Sequence, residues 1–453
     1  MVRVNIGREN LMLVLIALLL LVPGTAQLAM ERQQELRVAI CARNMVETGD
    51  WIVPNFQEQP RLRKPPLLYW MSASAMKLSG SKSVLTARIP ALLAAMGLIL
   101  VVAAAGRTWI GTRGGLLAGL LLASCIGFLR HGRLAETDIT LTLFTTATVY
   151  LVYLALERRR LRYWIGGGLC MGLGILAKGP AAVAMPLLAL GAYLSFVPST
   201  RKGFRPTGLI LLLALAALLA IPWYVAIHRF AQDAAGSQVS RELSALVKTE
   251  HKGNPAYYLY ILPIMLLPWG VFLPIAIYRM WQVRKEDPRW LFLLGWLGSS
   301  FLLLTLTPSK QSHYAVLLLP PAALITAWYA QRFSLRTVKV VTAAVFGLSL
   351  VYFWLVYPRV NGLSRVPAFL TAARTTTDEA ELIHVVGINS AVFDFYLGRH
   401  VHNTDDARQA WKRAGKGDAI VVIQKTSRLV ETGVTPLRQE LSGKYTLQLF
   451  TKE

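Results

Sequence analysis

Long apolar runs alternate with short polar segments through the first 357 residues of the chain. A run of about 17–25 apolar residues is long enough to cross the hydrocarbon core of a bilayer as a helix. The pattern predicts about eleven such spans, near residues 11–30, 86–106, 114–130, 139–156, 163–177, 181–197, 207–227, 257–278, 290–306, 314–330 and 338–357. We therefore predict a polytopic α-helical membrane protein whose transmembrane module covers residues 1–357.

Two amphipathic helices are predicted in the first loop, residues 31–84. Residues 35–47 place apolar side chains at helical spacing, and a second segment starts after Pro65-Pro66. Both helices would suit the plane of the membrane interface, or they would pack on the spans as ordinary loop helices.

After residue 357 the pattern predicts no further span. Segments 381–386 and 419–423 read as buried strands, segments 391–397 and 405–414 as helices, and segment 445–450 as an edge strand. Residues 358–453 are thus predicted to form a small soluble α/β domain, which is large enough for a core of its own.

Basic residues predict the orientation of the spans. Segments 158–162, 201–205, 284–285 and 332–339 are dense in Lys and Arg and are therefore predicted to be cytoplasmic. The alternate loops, 31–84, 130–138, 228–255 and 307–313, are then periplasmic, and so is the domain at 358–453. Residues 1–30 also resemble a secretory signal, with Gly24-Thr25-Ala26 as a cleavage site, although an uncleaved first span is favoured.

The composition narrows the partners. The 453 residues are 54% hydrophobic and carry a net charge of +24. This charge is spread over many loops at the membrane edge, which favours anionic lipid over nucleic acid as the partner. The predicted periplasmic loops remain basic, which suggests an anionic ligand on that side. The three cysteines predict no structural disulfide.

The candidate chemistry lies on the predicted periplasmic side. Ionisable residues at span ends or in external loops are Glu35, Lys64, Asp138, Lys178, His251, Lys310 and His313. Cations that bind phosphate, together with a carboxylate base, would serve group transfer from a phospholipid donor. Taken singly, Asp138 also fits a helix N-cap, Lys178 and Lys310 fit membrane-edge anchors, and His251 fits a cap or a metal ligand.

Five motifs carry a family resemblance over roughly residues 10–330. They are Ala42-Arg43-Asn44-Met45-Val46-Glu47-Thr48-Gly49-Asp50-Trp51, Lys64-Pro65-Pro66-Leu67-Leu68-Tyr69-Trp70, Ala87-Arg88-Ile89-Pro90-Ala91, Thr137-Asp138 and Lys178-Gly179-Pro180. The chain resembles bacterial membrane glycosyltransferases of family 39, the group of the lipid A aminoarabinose transferase and the protein O-mannosyltransferases. Segments 250–257 and 309–320 resemble two later external segments of that family.

The resemblance implies a GT-C architecture in the bacterial inner membrane. It implies inverting transfer of a sugar from a polyprenyl-phosphate donor, such as undecaprenyl phosphate, to a periplasmic lipid, glycan or protein. The leaving phosphate would be neutralised by Lys64, Lys178 and Lys310, with Arg43 and Arg88 as further candidates. Tyr69, His313 and Tyr314, which stand in matching segments, complete the expected substrate-binding set.

Two departures from the family pattern affect the expected chemistry. Gln34-Glu35 stands where the family has Asp-Glu, so Glu35 or Asp138 is expected to act as the base. Arg63 stands where the aminoarabinose branch has a metal-binding Glu. His251 therefore remains the candidate metal ligand, and a divalent metal is a candidate cofactor. A non-enzymatic lipid-sugar transporter and a degenerate partner subunit remain the rival interpretations.

Overall fold

The computed structural model describes residues 6–30, 32–62, 64–233, 253–356, 364–404, 406–425, 434–442 and 444–452. The α-helices of these residues are α1 (Ile6–Leu21), α2 (Gln33–Thr48), α3 (Leu67–Ser79), α4 (Val84–Ser124), α5 (Ile126–His131), α6 (Thr137–Arg158), α7 (Leu161–Lys178), α8 (Ala181–Phe196), α9 (Pro206–Asp233), α10 (Tyr257–Met265), α11 (Leu273–Gln282), α12 (Pro288–Leu306), α13 (Leu319–Ala330), α14 (Leu335–Val351), α15 (Val366–Asp378), α16 (Ser390–Leu397) and α17 (Ala407–Arg413). The strands are β1 (Asn55–Phe56), β2 (Gln59–Pro60), β3 (Ile383–Val386), β4 (His402–Thr404), β5 (Ala419–Lys425), β6 (Arg438–Ser442) and β7 (Tyr445–Thr451).

The chain forms two compact units. Unit 1 comprises Met1–Val22, Leu62–Met71 and Arg88–Phe346, and unit 2 comprises Pro23–Arg61, Ser72–Ala87 and Gly347–Glu453. Unit 1 therefore holds most of the apolar helices. Unit 2 groups the residues after Gly347 with most of the first loop, and the predicted domain at 358–453 stays a prediction.

Five helical segments of the described residues are long and apolar enough to cross a membrane. They are Val84–Ser124, Thr137–Arg158, Pro206–Phe230, Pro288–Leu306 and Ser312–Ala330. This confirms the prediction of a helical membrane protein, whereas the number of spans stays a prediction.

The longest of these segments, α4, is two helices that fold back on each other. A straight helix of its 41 residues would be about 60 Å long, twice the thickness of the hydrocarbon core. Gly111 breaks it with φ 85° and ψ 174°, a conformation that favours glycine. Beyond the break the two arms touch, because a Cβ added to Gly115 would lie 2.5 Å from the carbonyl oxygen of Ala103. The predicted division into runs at 86–106 and 114–130 agrees with this hairpin.

Small residues let the helices of unit 1 pack closely. Helix α7 packs against both α6 and α9. A Cβ added to Gly168 would meet the backbone oxygen of Leu212 at 2.7 Å, and one added to Gly172 would meet Leu219 at 2.9 Å. A pair of glycines four residues apart on one helix face is typical of close helix packing in membranes.

The apolar run at 257–278 is not one continuous helix, and its prediction as a span stays a prediction. It forms α10, a 3₁₀ turn at Trp269–Phe272 and then α11. Pro263 and Pro268 each remove a backbone donor, and Gly270 sits so close to Pro263 that a Cβ would lie 1.9 Å from its oxygen. Hydrophobicity alone does not register this break.

Unit 1 has two ends, which α6 connects. Asp138 lies in the first turn of α6 and Glu157 lies 19 residues later, so they are about 28 Å apart along the axis. This distance is close to the thickness of the hydrocarbon core, about 30 Å. We call these the Asp138 end and the Arg158 end of unit 1.

A five-stranded sheet forms the core of the C-terminal part of unit 2. Its strand order is β4-β3-β5-β7-β6, in which β4, β3 and β5 are parallel and β7 pairs antiparallel with β5 and β6. The strand at Tyr445–Thr451 is thus an inner strand and not the predicted edge strand. The outer strand β6, Arg-Gln-Glu-Leu-Ser, is too polar to be predicted from hydrophobicity.

The carboxylate of Asp418 joins several elements of this sheet region. It accepts hydrogen bonds from the backbone N–H of Leu382 at 3.0 Å and of Gly415 at 2.6 Å, and it lies 3.3 Å from Nε2 of His384. Burial opposes its ionisation, but these hydrogen bonds and the nearby His384 outweigh that effect and lower the pKa of Asp418.

Helix α2 belongs to unit 2 because it packs on α16. Nη1 of Arg43 donates to the backbone oxygen of Asp394 at 2.7 Å, and Nε2 of Gln57 donates to the Asp394 carboxylate at 2.8 Å. Helices α2 and α3 confirm that the two predicted segments of the first loop are helical.

Candidate active site

An ion pair between Asp138 and Lys178 lies at the Asp138 end of unit 1. Asp138 lies in the first turn of α6, and Lys178 is the last residue of α7, so antiparallel packing of the two helices brings them together. Lys178 Nζ is 2.5 Å from Asp138 Oδ1. Asp138 is fully buried and Lys178 is 11% exposed, while Asp138 Oδ2 has no hydrogen-bond partner among the described residues. The pair therefore places one unpaired acceptor and one slightly accessible cation at this end.

Aromatic rings from a third segment cover the lysine. Tyr314 lies in the 3₁₀ helix Ser312–Leu318, and its ring centroid is 4.6 Å from Lys178 Nζ, a cation–π distance. The centroid of the His313 ring lies 4.7 Å from that of Tyr314, and the ring interacts electrostatically with both Asp138 and Lys178. Four of the predicted site residues, from three separate segments, thus form one cluster, which we call the Lys178 cluster: Asp138, Lys178, His313 and Tyr314.

A second buried polar pair stands just before α6, and the sequence analysis did not select it. His131 Nδ1 lies 2.8 Å from Glu136 Oε2, and both side chains are only 2% exposed. Both residues also act electrostatically on His313. Arg133, between them in sequence, bonds the backbone oxygen of Leu20, and burial lowers its pKa to about 10. The signal was the density of ionisable residues in segment 131–138, immediately before an apolar run.

Lys310 is engaged at the end of a helix. Its ammonium group donates to the backbone oxygens of Leu304 (3.0 Å) and Thr305 in the last turn of α12 and of Thr307 (2.6 Å) just after it. A lysine ammonium has three donors, so all three are used. This geometry favours a capping role, and the role of Lys310 as a phosphate ligand stays a prediction.

The remaining predicted residues of unit 1 differ in accessibility. Lys64 is half-buried just before α3, whereas Tyr69 is 2% exposed and Arg88 is fully buried. A half-buried lysine is able to reach a ligand without unfolding its surroundings.

Glu35 and Arg43 belong to unit 2, on α2. Glu35 is 1% exposed, and Arg43 is 6% exposed with its guanidinium bonded to α16. Burial lowers the pKa of Arg43, while the neighbouring Glu47 and Asp394 oppose that effect. Neither side chain is freely exposed, so each would act from a fixed position on α2.

The described residues hold no group of three or more His, Cys, Asp or Glu side chains suited to a metal ion. His251, the predicted metal ligand, lies outside the residues that the structure describes. The residue before Lys64 is Arg63, a cation in place of an acidic ligand. The divalent metal therefore stays a prediction, and we assign no step to a metal.

Comparisons with known proteins agree with this architecture. Residues 63–225 match the family model described as dolichyl-phosphate-mannose-protein mannosyltransferase. The undecaprenyl phosphate-alpha-4-amino-4-deoxy-L-arabinose arabinosyl transferase of Aeromonas salmonicida (strain A449) is 30% identical over 303 residues, which are 65% of this chain and 54% of that protein. The enzyme of the same name from Serratia proteamaculans (strain 568) is 27% identical over 369 residues, 75% of this chain and 63% of that protein. The chain thus spans about half to just under two thirds of the length of these relatives.

Solved structures show the same fold over nearly the whole chain. ArnT from Cupriavidus metallidurans bound to undecaprenyl phosphate superposes with a TM-score of 0.73 at 16% identity, covering 97% of both chains. The Archaeoglobus fulgidus oligosaccharyltransferase in complex with zinc and sulfate superposes with a TM-score of 0.55 at 14% identity, covering 91% of this chain and 67% of that one.

The fold is therefore that of the GT-C class of membrane glycosyltransferases. Within this class, the chain resembles the lipid A aminoarabinose transferases.

Proposed function

We propose that this protein is a membrane glycosyltransferase that takes a sugar from a polyprenyl-phosphate donor and transfers it to a periplasmic acceptor. The Lys178 cluster carries the proposal, because it sets an accessible cation beside a buried carboxylate and two aromatic rings at one end of a GT-C fold. The fold match to a structure that binds undecaprenyl phosphate supports a donor of that chemistry.

The proposed reaction needs a carboxylate that accepts a proton and cations that stabilise the leaving phosphate. The bond between the anomeric carbon and the phosphate oxygen breaks, and its electron pair leaves with the polyprenyl phosphate. An acceptor hydroxyl attacks the opposite face of that carbon, and its proton passes to a carboxylate. Preorganised cations stabilise the charge that grows on the phosphate, which is the larger contribution expected from a site of this kind.

Lys178 is the cation best placed for the phosphate. It has one carboxylate partner, it is 11% exposed, and the face of Tyr314 holds its ammonium group from another side. The half-buried Lys64 is the second candidate. An ammonium donates charge-assisted hydrogen bonds to phosphate oxygens and so suits a phosphate that is leaving.

Asp138 fits a positioning role better than that of the base. The Oδ1 atom of Asp138 is already engaged by the ammonium group of Lys178, at 2.5 Å. Its contact with Lys178 instead fixes the direction of that cation. In this assignment Glu35, which lies on α2 in the first loop, accepts the proton of the acceptor hydroxyl.

Carboxamide substitutions separate these roles. The Glu35→Gln variant should lose about 10²–10⁴-fold in the rate of sugar transfer, the usual contribution of a general base. Asp138→Asn should lose less and mainly weaken donor binding. Glu47→Gln is the matched control, since Glu47 lies on the same helix and pairs with Lys82 at 2.6 Å. Wild-type rates in both Glu35→Gln and Asp138→Asn would exclude both carboxylates as the base.

We further propose that the Lys178 cluster and the C-terminal sheet face the periplasm, with the bacterial inner membrane as the location. The support is the density of Lys and Arg in the loops at 158–162, 201–205, 284–285 and 332–339. The acceptor would be a lipid, glycan or protein.

A second candidate function is a degenerate partner subunit. Gln34 favours it, because Gln34 stands where the family that this chain resembles has an Asp. Such a subunit would bind the lipid phosphate without transferring sugar. Purified protein that retains undecaprenyl phosphate and releases no sugar from any polyprenyl-phosphate donor would support this function over the enzyme. A lipid-sugar transporter would instead move the intact donor between leaflets of a vesicle.

A further inference from the structure

An apolar groove runs along unit 1, away from the Lys178 cluster. It lies between α1 and α14, with Leu120 of α4 at its floor, and has a volume of about 330 Å³. Met12, Ile16 and Leu19 form one wall, while Ala343 and Phe346 form the other. Leu19 is 55% exposed, so the groove is open on its outer side.

Two cations stand at one end of this groove. Arg336 and Lys339, together with Val340 and Ala343, line an adjoining cavity of about 480 Å³. Lys339 and Ala343 border both cavities, so the two are continuous. Both cations are exposed, and neither has a hydrogen-bond or ion-pair partner among the described residues.

This cationic end is the Arg158 end of unit 1. Arg113, two residues after the hairpin turn at Gly111, bonds the backbone oxygen of Phe333, which is three residues before Arg336. Thr108, on the other arm of that hairpin, lines a cavity together with Arg158. The cations of the groove therefore lie about one membrane thickness from Asp138.

The length of the groove matches one leaflet of a bilayer. Met12 and Leu20 both line it, and eight residues of helix rise about 12 Å. Half of a hydrocarbon core of about 30 Å is about 15 Å. A ligand that fills the groove from the cations inward would thus end near the middle of the bilayer.

We propose that this groove binds one anionic phospholipid from the leaflet at the Arg158 end. An acyl chain lies between α1 and α14, and the head-group phosphate contacts Arg336 and Lys339. The charge of the unpaired cations selects an anionic head group, and the apolar walls select an acyl chain. The polyprenyl donor is a different ligand, because its phosphate is assigned to the Lys178 cluster at the opposite end.

Lipid retention by the purified full-length protein tests this site. Native mass spectrometry with added phosphatidylglycerol, and separately with neutral phosphatidylcholine, measures how much of each lipid stays bound. Arg336→Gln combined with Lys339→Gln should weaken retention of phosphatidylglycerol about 30-fold, from the usual contribution of two basic residues near an anionic surface. Arg201→Gln combined with Lys202→Gln removes the same charge from another exposed basic segment and should leave retention unchanged.

A second pair of variants tests the apolar part. Ala343 lines the groove and Ala344 does not, although both are exposed on α14, so tryptophan is tolerated at either position. Ala343→Trp should displace the lipid and Ala344→Trp should not. Three results would each overturn the proposal. They are retention of phosphatidylcholine equal to that of phosphatidylglycerol, an equal loss of phosphatidylglycerol in the Arg336/Lys339 and Arg201/Lys202 double variants, and displacement of phosphatidylglycerol by undecaprenyl phosphate.

Discussion

Removing Lys178 alone should destabilise the protein more than removing Lys178 and Asp138 together. Asp138 is fully buried, and its Oδ1 is 2.5 Å from the ammonium group of Lys178. Lys178→Met leaves that carboxylate buried without its counter-charge, which costs about 3–5 kcal/mol. In the double variant Asp138→Asn, Lys178→Met no charge remains, and stability should return to within about 1 kcal/mol of the wild type.

Thermal unfolding in one detergent, followed by tryptophan fluorescence, measures the four members of this cycle. The Lys178→Met variant should unfold about 5 °C or more below the wild type, and the double variant should recover most of that loss. Asp138→Asn alone should lose less, since Lys178 is 11% exposed and keeps access to a polar environment. If the two single losses simply add in the double variant, the residues are not coupled and the positioning role of Asp138 fails.

Three further predictions concern the capping lysine, the sheet and the topology. Lys310→Met should lower the stability of unit 1 by about 1–2 kcal/mol, because three carbonyls at the C-terminal end of α12 lose their donor. Lys285→Met, in an exposed loop, should change the stability little, and thermal unfolding compares the two variants. Because the pKa of Asp418 is lowered on folding, its stabilisation is complete above pH 4, near the unfolded pKa, and is lost as the pH falls through the folded value. Asp418→Asn should remove that acid-sensitive part, so proteolysis of the C-terminal sheet should depend less on pH in this range than in the wild type. A reporter that is active only in the cytoplasm, fused after Glu453, should be silent, and strong activity would contradict the predicted periplasmic C-terminus.

The apolar pattern predicted the ends of α6, α7, α8 and α12 within two residues, because burial in lipid imposes a strong and continuous requirement on sequence. The first span was predicted at 11–30, but α1 ends at Leu21. The two arms of α4 were predicted as separate apolar runs at 86–106 and 114–130. The broken segment at 257–278 was missed, since Pro263, Pro268 and Gly270 change the backbone without lowering hydrophobicity. Strand β6 was missed for the opposite reason, as it is held by pairing with β7 although its residues are polar.

The candidate site was predicted in part. Asp138, Lys178 and Tyr314 were selected as ionisable or motif residues at span ends, but their distances depend on the packing of α6, α7 and the turn at Ser312–Leu318. The use of all three Lys310 donors by backbone carbonyls had no signal in the sequence. The pair of His131 and Glu136 was not selected, although segment 131–138 is dense in ionisable residues. This segment was considered only for its charge, as a predicted loop.

The most direct test of the proposed function is release of polyprenyl phosphate by the purified protein. Protein reconstituted with an undecaprenyl-phosphate sugar and an extract of envelope acceptors should release undecaprenyl phosphate and label an acceptor in equal amounts. The Lys178→Met, Asp138→Asn double variant, in which the fold is expected to be kept, should do neither at a comparable rate. Equal turnover in the wild type and in this variant, or no turnover by the wild type with any polyprenyl-phosphate sugar, would contradict a glycosyltransferase centred on the Lys178 cluster.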